Sequence, residues 1–166
     1  SIYRPGDVVF FTAAVSAPDV CAGDRDHSWA VNVTSTISFV QNVIDRGARV
    51  IFFSSDTVYG ERVEEFDEAA TPNPADGYAE MKSAVEQRFS AYNSFKAIRL
   101  SYVFAHHDKF TQYLVERHAR NETAELYHPF SRAIIHRDDV VDGVLSLAVN
   151  WDQINSRVIN FGGPQV

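Results

Sequence analysis

The sequence has little cysteine, a deficit of basic residues and no long hydrophobic run. Its 166 residues include one cysteine, which excludes an intramolecular disulfide framework and a cysteine-rich zinc site. Acidic side chains outnumber basic ones by 22 to 15, and the net charge of −7 argues against a nucleic-acid partner. No uncharged stretch approaches the roughly 20 apolar residues that span a bilayer, and no signal peptide is visible. We therefore expect a cytoplasmic protein with no membrane partner.

Glycine is also sparse, and no glycine-rich loop of the kind that often binds dinucleotides is present. The eight glycines lie at positions 6, 23, 47, 60, 77, 143, 162 and 163, so no G-x-x-G-x-x-G loop is present. Such a loop holds a pyrophosphate on backbone amides at a helix N-terminus. The chain also has no initiator methionine and enters an apolar strand within seven residues of Ser1. These features lead us to expect the inner part of a longer protein.

Short apolar runs alternate with amphipathic stretches along the chain. Runs at residues 8–11, 50–53, 97–100 and 158–161 are typical of buried strands, and residues 28–45, 78–93, 110–120 and 139–149 show helical spacing. This alternation indicates βαβ units around a parallel sheet. We predict an α/β fold with a mainly parallel sheet. Ligands of such sheets bind at the carboxyl ends of the strands.

Two groups of residues have the types and spacing that catalysis needs. Tyr78 and Lys82 are four residues apart on a predicted helix and therefore share one face. A nearby cation favours the phenolate, so we expect the pKa of Tyr78 to fall below its usual value of about 10, which suits a general acid or base. Ser54 and Ser55 directly follow a buried strand. Each group alone is more often a solvated helix face or a turn, but the two together are much rarer.

These residues belong to a longer series of motifs. The series comprises residues 7–14 with an Ala-Ala loop, 32–36, 53–60, the Tyr78 and Lys82 pair, 99–104 and 132–139. In this order they resemble an extended short-chain dehydrogenase/reductase of the NAD-dependent epimerase/dehydratase family, of the nucleotide-sugar epimerase or 4-keto-sugar reductase type. The resemblance implies a Rossmann-like fold with a mainly parallel, doubly wound sheet that lacks its N-terminal part. Residues 1–166 are then the central and C-terminal part of an NAD(P)-binding Rossmann domain, with part of the substrate-binding region.

The resemblance also implies roles for individual residues. Tyr78 is the expected acid/base, Lys82 the ligand of the cofactor ribose, Ser55 the group that orients the reacting oxygen, and Asn32 the support for the Lys82 side. The expected contacts of the cofactor, NAD or NADP, are Thr12, Ala13, Ala14, Ser54, Tyr78, Lys82, Tyr102 and Val103. The expected contacts of the nucleotide-sugar substrate are Ser55, Asp56, Thr57 and Arg132. Asp139 is expected to open a helix, and no metal is expected.

Departures from the family pattern leave the subtype open. Sugar dehydratases of the family carry Thr-Asp-Glu after the strand, whereas this chain has Ser55, Asp56 and Thr57, so a dehydratase is disfavoured. Features of reductases and of epimerases both occur, and Tyr102 replaces an Asn common in hexose epimerases. The family pairs helices equivalent to residues 28–45 and 78–93, so a homodimer is expected. The alternative function is a non-catalytic or cofactor-incompetent Rossmann-fold fragment with a binding or structural role.

Overall fold

The main sheet of the protein has four parallel strands. The computed structural model describes residues 2–16, 21, 23–60, 67–126 and 133–163. The strands are β1 (Val8–Phe11), β2 (Arg49–Ser55), β3 (Phe95–Leu100) and β6 (Val158–Phe161), and they lie in the order β1-β2-β3-β6. All four strands predicted from the apolar runs are present. Two further strands, β4 (Tyr102–Phe104) and β5 (Ile134–His136), form a separate parallel pair that the sequence did not predict.

Helices connect the strands of the main sheet. Between β1 and β2 the chain forms α1 (Arg25–Trp29), a π-helical segment (Ala30–Ser35) and α2 (Thr36–Asp45). The predicted helix over residues 28–45 is thus present but starts earlier and contains a π-helical part. The remaining helices are α3 (Gly77–Phe89), α4 (Lys109–Ala119) and α5 (Arg137–Val149). None of the helices within the described ranges is long and apolar enough to cross a bilayer.

The start of α5 differs from the expectation. The resemblance implied that Asp139 opens this helix, but the residue at its N-cap is His136. The Nδ1 atom of His136 accepts a hydrogen bond from the backbone N–H of Asp138 at 3.2 Å. The imidazole therefore takes the capping role, and the helix begins at Arg137, two residues before Asp139.

Helices cover both faces of the sheet. Successive residues of a strand point to opposite faces, so Val50 and Phe52 lie on one face while Ile51 lies on the other. The first face packs against α2 and α3 through Val40, Val43, Val85 and Phe89. The second packs against α5 through Val140, Val144 and Leu147. Full burial of such a side chain stabilises the fold by about 1.5–3 kcal/mol. This arrangement confirms the predicted doubly wound α/β fold.

Candidate active site at the carboxyl end of the sheet

Ser55 closes strand β2 and caps the short turn that follows. Its backbone is extended, and its side chain is the N-cap of a 3₁₀ turn (Asp56–Tyr59). Ser55 Oγ accepts hydrogen bonds from Thr57 Oγ1 at 2.9 Å and from the Thr57 backbone N–H at 3.2 Å. Its own hydroxyl points to Asp56 Oδ1 at the long distance of 3.4 Å. Because Thr57 occupies the oxygen lone pairs, the hydroxyl proton is what Ser55 can offer to a ligand.

Tyr78 and Lys82 lie on the first turns of α3, which begins beside the end of β2. Asp76 caps the helix, its carboxylate accepting from the Ala79 backbone N–H at 2.8 Å. Lys82 Nζ donates to the backbone carbonyl of Phe53 at 2.7 Å. The same ammonium lies 5.4 Å from the centroid of the Tyr78 ring. The structure therefore brings the Tyr-Lys pair against β2, two residues before Ser55.

Burial shifts the pKa values of Tyr78 and Lys82 in opposite directions. It raises the pKa of Tyr78 to about 12, with smaller contributions from Cys21 and Asp76. It lowers the pKa of Lys82 to about 8, and the neighbouring carboxylate of Glu86 only partly opposes this. The expected fall in the pKa of Tyr78 is thus wrong for this structure. The ammonium is directed at the Phe53 carbonyl rather than at the phenol, and desolvation outweighs its attraction.

Asn32 fixes the loop that follows β1 rather than contacting Lys82. Its side-chain Oδ1 accepts from the Val15 backbone N–H and its Nδ2 donates to the Val15 carbonyl, both at 2.8 Å. Nδ2 also lies 3.5 Å from the sulfur of Met81, which precedes Lys82 on α3. Asn32 therefore connects Val15, the residue after the Ala13-Ala14 segment, to α3. Thr12 and Ala13 are exposed and Ala14 is half-buried.

Two of the predicted cofactor contacts have side chains that bond elsewhere. The Ser54 hydroxyl donates to Glu86 Oε1 and is buried, so it faces the protein interior and not the predicted cofactor. Side chains alternate along β2, and this places Ser54 beneath the sheet edge that carries Ser55. The Tyr102 hydroxyl donates to Asp108 Oδ1 at 2.5 Å, at the start of α4. Its neighbour Val103 is half-buried against the α5 side of the core.

One predicted substrate contact, Arg132, lies outside the described residues and cannot be placed.

A buried ion pair beside the site was not predicted from the sequence. It joins Glu86 on α3 to Arg99 on β3, with 2.6 Å between Arg99 Nη2 and Glu86 Oε2. Two signals pointed to it: Glu86 stands four residues after Lys82, and Arg99 is a charge next to an apolar run. Neither signal indicates a partner, so the pairing needed the fold.

Several solved structures share the fold of this chain. A dTDP-4-dehydrorhamnose reductase from Clostridium acetobutylicum superposes with a TM-score of 0.85 at 19% identity, over 96% of this chain and 56% of that one. MoeE5 in complex with UDP-glucose and NAD gives 0.79 at 24%, over 96% and 57%. A UDP-N-acetylglucosamine 4-epimerase from Methanobrevibacter ruminantium gives 0.76 at 20%, over 94% and 55%. The chain thus spans little more than half the length of these structures.

Comparison at the sequence level gives the family. No curated protein matches the chain significantly. The family model described as "NAD dependent epimerase/dehydratase family" matches residues 2–162. This range contains Ser55, Tyr78 and Lys82, and it covers nearly the whole chain. The protein therefore belongs to the NAD-dependent epimerase/dehydratase family.

Proposed function

We propose that this protein is an NAD(P)-dependent oxidoreductase or epimerase acting on a nucleotide sugar, with Ser55, Tyr78 and Lys82 as its catalytic residues. The observation that carries the proposal is the hydrogen bond from Lys82 Nζ to the Phe53 carbonyl. It holds the helix that carries Tyr78 and Lys82 against the strand that ends in Ser55. Membership of an NAD-dependent family supplies the cofactor class, and the fold relatives support the substrate class.

The residues present fit the nicotinamide-ribose end of NAD. Lys82 Nζ uses one of its three N–H groups on Phe53, which leaves donors for ribose hydroxyls. The Tyr78 hydroxyl forms no hydrogen bond within the described ranges, so it can meet a ligand oxygen. The Ala13-Ala14 segment offers small side chains on a backbone that Asn32 holds in place. The pyrophosphate end has no matching glycine loop in this sequence.

The residues of this chain act on the proton of the reacting sugar oxygen. A bound nicotinamide supplies hydride transfer to or from the sugar carbon. Tyr78 donates the phenolic proton to a developing alkoxide, or takes it back when the sugar hydroxyl is oxidised. Ser55 keeps its proton and donates a hydrogen bond to the same oxygen, which orients it, since Thr57 occupies the Ser55 lone pairs. Lys82 binds the ribose and, when protonated, stabilises the tyrosinate left behind.

The sugar, the nucleotide and the direction of the reaction are not part of the proposal. The fold relatives include both a reductase and an epimerase, so the two reactions stay open as they were from the sequence. A cytoplasmic location also remains a prediction. A homodimer formed through the helices predicted over residues 28–45 and 78–93 likewise remains a prediction.

Cofactor titration followed by a turnover assay tests the proposal. We expect NADH or NADPH fluorescence to change on binding to the 166-residue protein, and this change to be lost in Lys82→Met. We also expect turnover of a UDP- or dTDP-hexose or its 4-keto form. Absence of both binding and turnover at millimolar cofactor would contradict the proposal for this chain.

A non-catalytic role is the second candidate, and one observation favours it. The sequence has no G-x-x-G-x-x-G loop, so the backbone amides that hold the pyrophosphate are not supplied by these residues. If nucleotide sugar binds without cofactor and without turnover, this candidate is preferred. If cofactor binds only to a longer chain that carries such a loop, the catalytic proposal holds for that longer protein.

A further inference from the structure

A buried ion pair lies directly beneath the candidate active site. Glu86 is one helical turn after Lys82 on α3 and is 6% exposed, while Arg99 on β3 is 4% exposed. Arg99 Nη2 donates to Glu86 Oε2 at 2.6 Å and Arg99 Nε donates to Oε1 at 3.3 Å and to Oε2 at 3.1 Å, so the guanidinium binds both carboxylate oxygens. Burying two charges is expensive, and apolar residues often serve stability equally well. We therefore infer that this ion pair does more than stabilise the fold.

The same carboxylate is bonded to the strand that carries Ser55. Ser54 Oγ donates to Glu86 Oε1, and Ser54 stands opposite Arg99 in the register of β2 and β3. Lys82 bonds the carbonyl of Phe53, the residue before Ser54. Helix α3 is thus attached to β2 at two consecutive residues, immediately before Ser55.

Arg99 also contacts the segment after Ser55. Its guanidinium carbon lies 4.6 Å from the centroid of the Tyr59 ring, which belongs to the turn that Ser55 caps. One nitrogen, Arg99 Nη1, has no hydrogen-bond partner among the described residues, a cost that an apolar core would avoid. The pair therefore holds both flanks of Ser55, through Ser54 before it and Tyr59 after it.

We propose that Glu86 is a positioning residue that, together with Arg99, fixes Ser55 relative to the helix bearing Tyr78 and Lys82. The catalytic consequence rests on the function proposed above. Misplacing a reacting group by about 1 Å can cost about 100-fold in rate. Glu86 touches neither substrate nor cofactor in this scheme and acts only through Ser54 and Arg99.

The test uses two substitutions and a matched control. Ser54→Ala removes only the bond to the strand and keeps the ion pair, whereas Glu86→Gln keeps the shape and removes the charge. Ser83→Ala is the control, because Ser83 is a buried serine like Ser54 but lies on α3, and its only described partner is Gln87, at 3.3 Å. The first readout needs no activity: it is hydrogen exchange of the Thr57 amide, which is bonded to Ser55 Oγ.

We expect Ser54→Ala and Glu86→Gln to speed Thr57 exchange by about 10-fold or more, with core amides of β2 unchanged and Ser83→Ala without effect. In turnover, Ser54→Ala should lower kcat by about 10- to 100-fold with KM within about twofold. If Thr57 exchange and kcat in Ser54→Ala equal those of Ser83→Ala, the proposal is overturned. If exchange responds but the wild type turns over no nucleotide sugar, the proposed function fails while the positioning of Ser55 stands.

Discussion

At the scale of single residues, the protonation of Tyr78 and Lys82 decides what the site is ready to do. With a pKa raised to about 12, Tyr78 is a neutral phenol at physiological pH and holds the proton that a carbonyl reduction requires. Lys82, with a pKa of about 8, is close to half-protonated just above neutrality. In the absence of a ligand the phenol therefore holds its proton, while Lys82 is present in both protonation states near pH 8.

Replacing Tyr78 by Phe tests its role directly. The phenol makes no hydrogen bond in the described part of the chain, so Tyr78→Phe should change the free energy of unfolding by less than about 0.5 kcal/mol. In the active enzyme, turnover should fall by about 100- to 10,000-fold because the proton donor is lost, with cofactor affinity nearly unchanged. Steady-state kinetics and a cofactor titration provide the measurement. Retained turnover would refute the role of Tyr78.

Lys82 makes stability depend on pH. Its pKa is about 8 when folded and near 10.5 when unfolded, so between these values the unfolded chain binds more protons and stability rises with pH. The gain is at most about 1.4 kcal/mol per pH unit. Above pH 10 the raised pKa of Tyr78 acts in the opposite sense, because the folded state then binds more protons. The effect of Lys82 on stability can therefore be measured without interference from Tyr78 between pH 8 and pH 10.

The corresponding experiment compares the wild type with Lys82→Met by urea unfolding at pH 8, 9 and 10. We expect the wild type to gain stability relative to Lys82→Met across this range. Lys109, which is exposed at the start of α4, supplies the control, and Lys109→Met should follow the wild type. A constant difference between wild type and Lys82→Met would show that burial does not displace the Lys82 proton.

At the scale of elements, helix α3 supplies most of the site, and its first turn depends on one cap. The Asp76 carboxylate accepts from the Ala79 backbone N–H at 2.8 Å, just beside Tyr78. Asp76→Ala should therefore cost about 1 kcal/mol of unfolding free energy, while Asp76→Asn, which keeps an acceptor at the N-cap, should cost only a few tenths. Chemical denaturation at pH 7 measures both. Equal losses in the two variants would mean that the cap bond is not what the carboxylate contributes.

The elements show how far the sequence alone could lead. The strands and helices around the parallel sheet followed from apolar periodicity, because β2 and β3 are covered on both faces and α2, α3 and α5 each bury one face. The pair β4 and β5 was missed, since three-residue strands carry no usable period. The π-helical segment was also missed, because the four-residue spacing of Trp29, Val33 and Ile37 is equally compatible with an α-helix.

The same limit applies to the site. Tyr78 and Lys82 were identified because their spacing is local to one helix. The inward direction of Ser54 and the pairing of Glu86 with Arg99 depend on how α3 lies across β2 and β3, which no local pattern encodes. The direction of the Tyr78 pKa shift was mispredicted for a related reason. Spacing revealed the neighbouring cation, but the extent of burial only becomes known when the chain is folded.

At the scale of the whole molecule, two core clusters share the central strands. The cluster under α2 and α3 and the cluster under α5 both include residues of β2 and β3. If the helices on one face of such a strand detach, the packing of the helices on its other face is weakened as well. We therefore expect the described part of the protein to unfold in one cooperative transition, and not face by face.

Two leucines of α5 test this cooperativity. Leu147 is 3% exposed in the core and Leu145 is 52% exposed on the same helix. Leu147→Ala should cost about 2–5 kcal/mol, because the lost contacts leave a cavity, while Leu145→Ala should stay below about 1 kcal/mol. Urea unfolding followed by tryptophan fluorescence and by circular dichroism should give coincident midpoints in both variants. Separate midpoints would indicate that the α5 face melts independently.

The burial of Lys82 has a practical consequence for chemical labelling. The chain has three lysines, and Lys82 and Lys96 are 5% and 3% exposed, so Lys109 is the remaining one and lies at the surface. Among the lysines, an amine-reactive dye should therefore attach first at Lys109, because its side chain is accessible. The lowered pKa of Lys82 leaves part of it unprotonated near pH 8, so its burial is what limits its reaction. Its rate of acylation would then report, by mass spectrometry alone, whether a ligand covers the site.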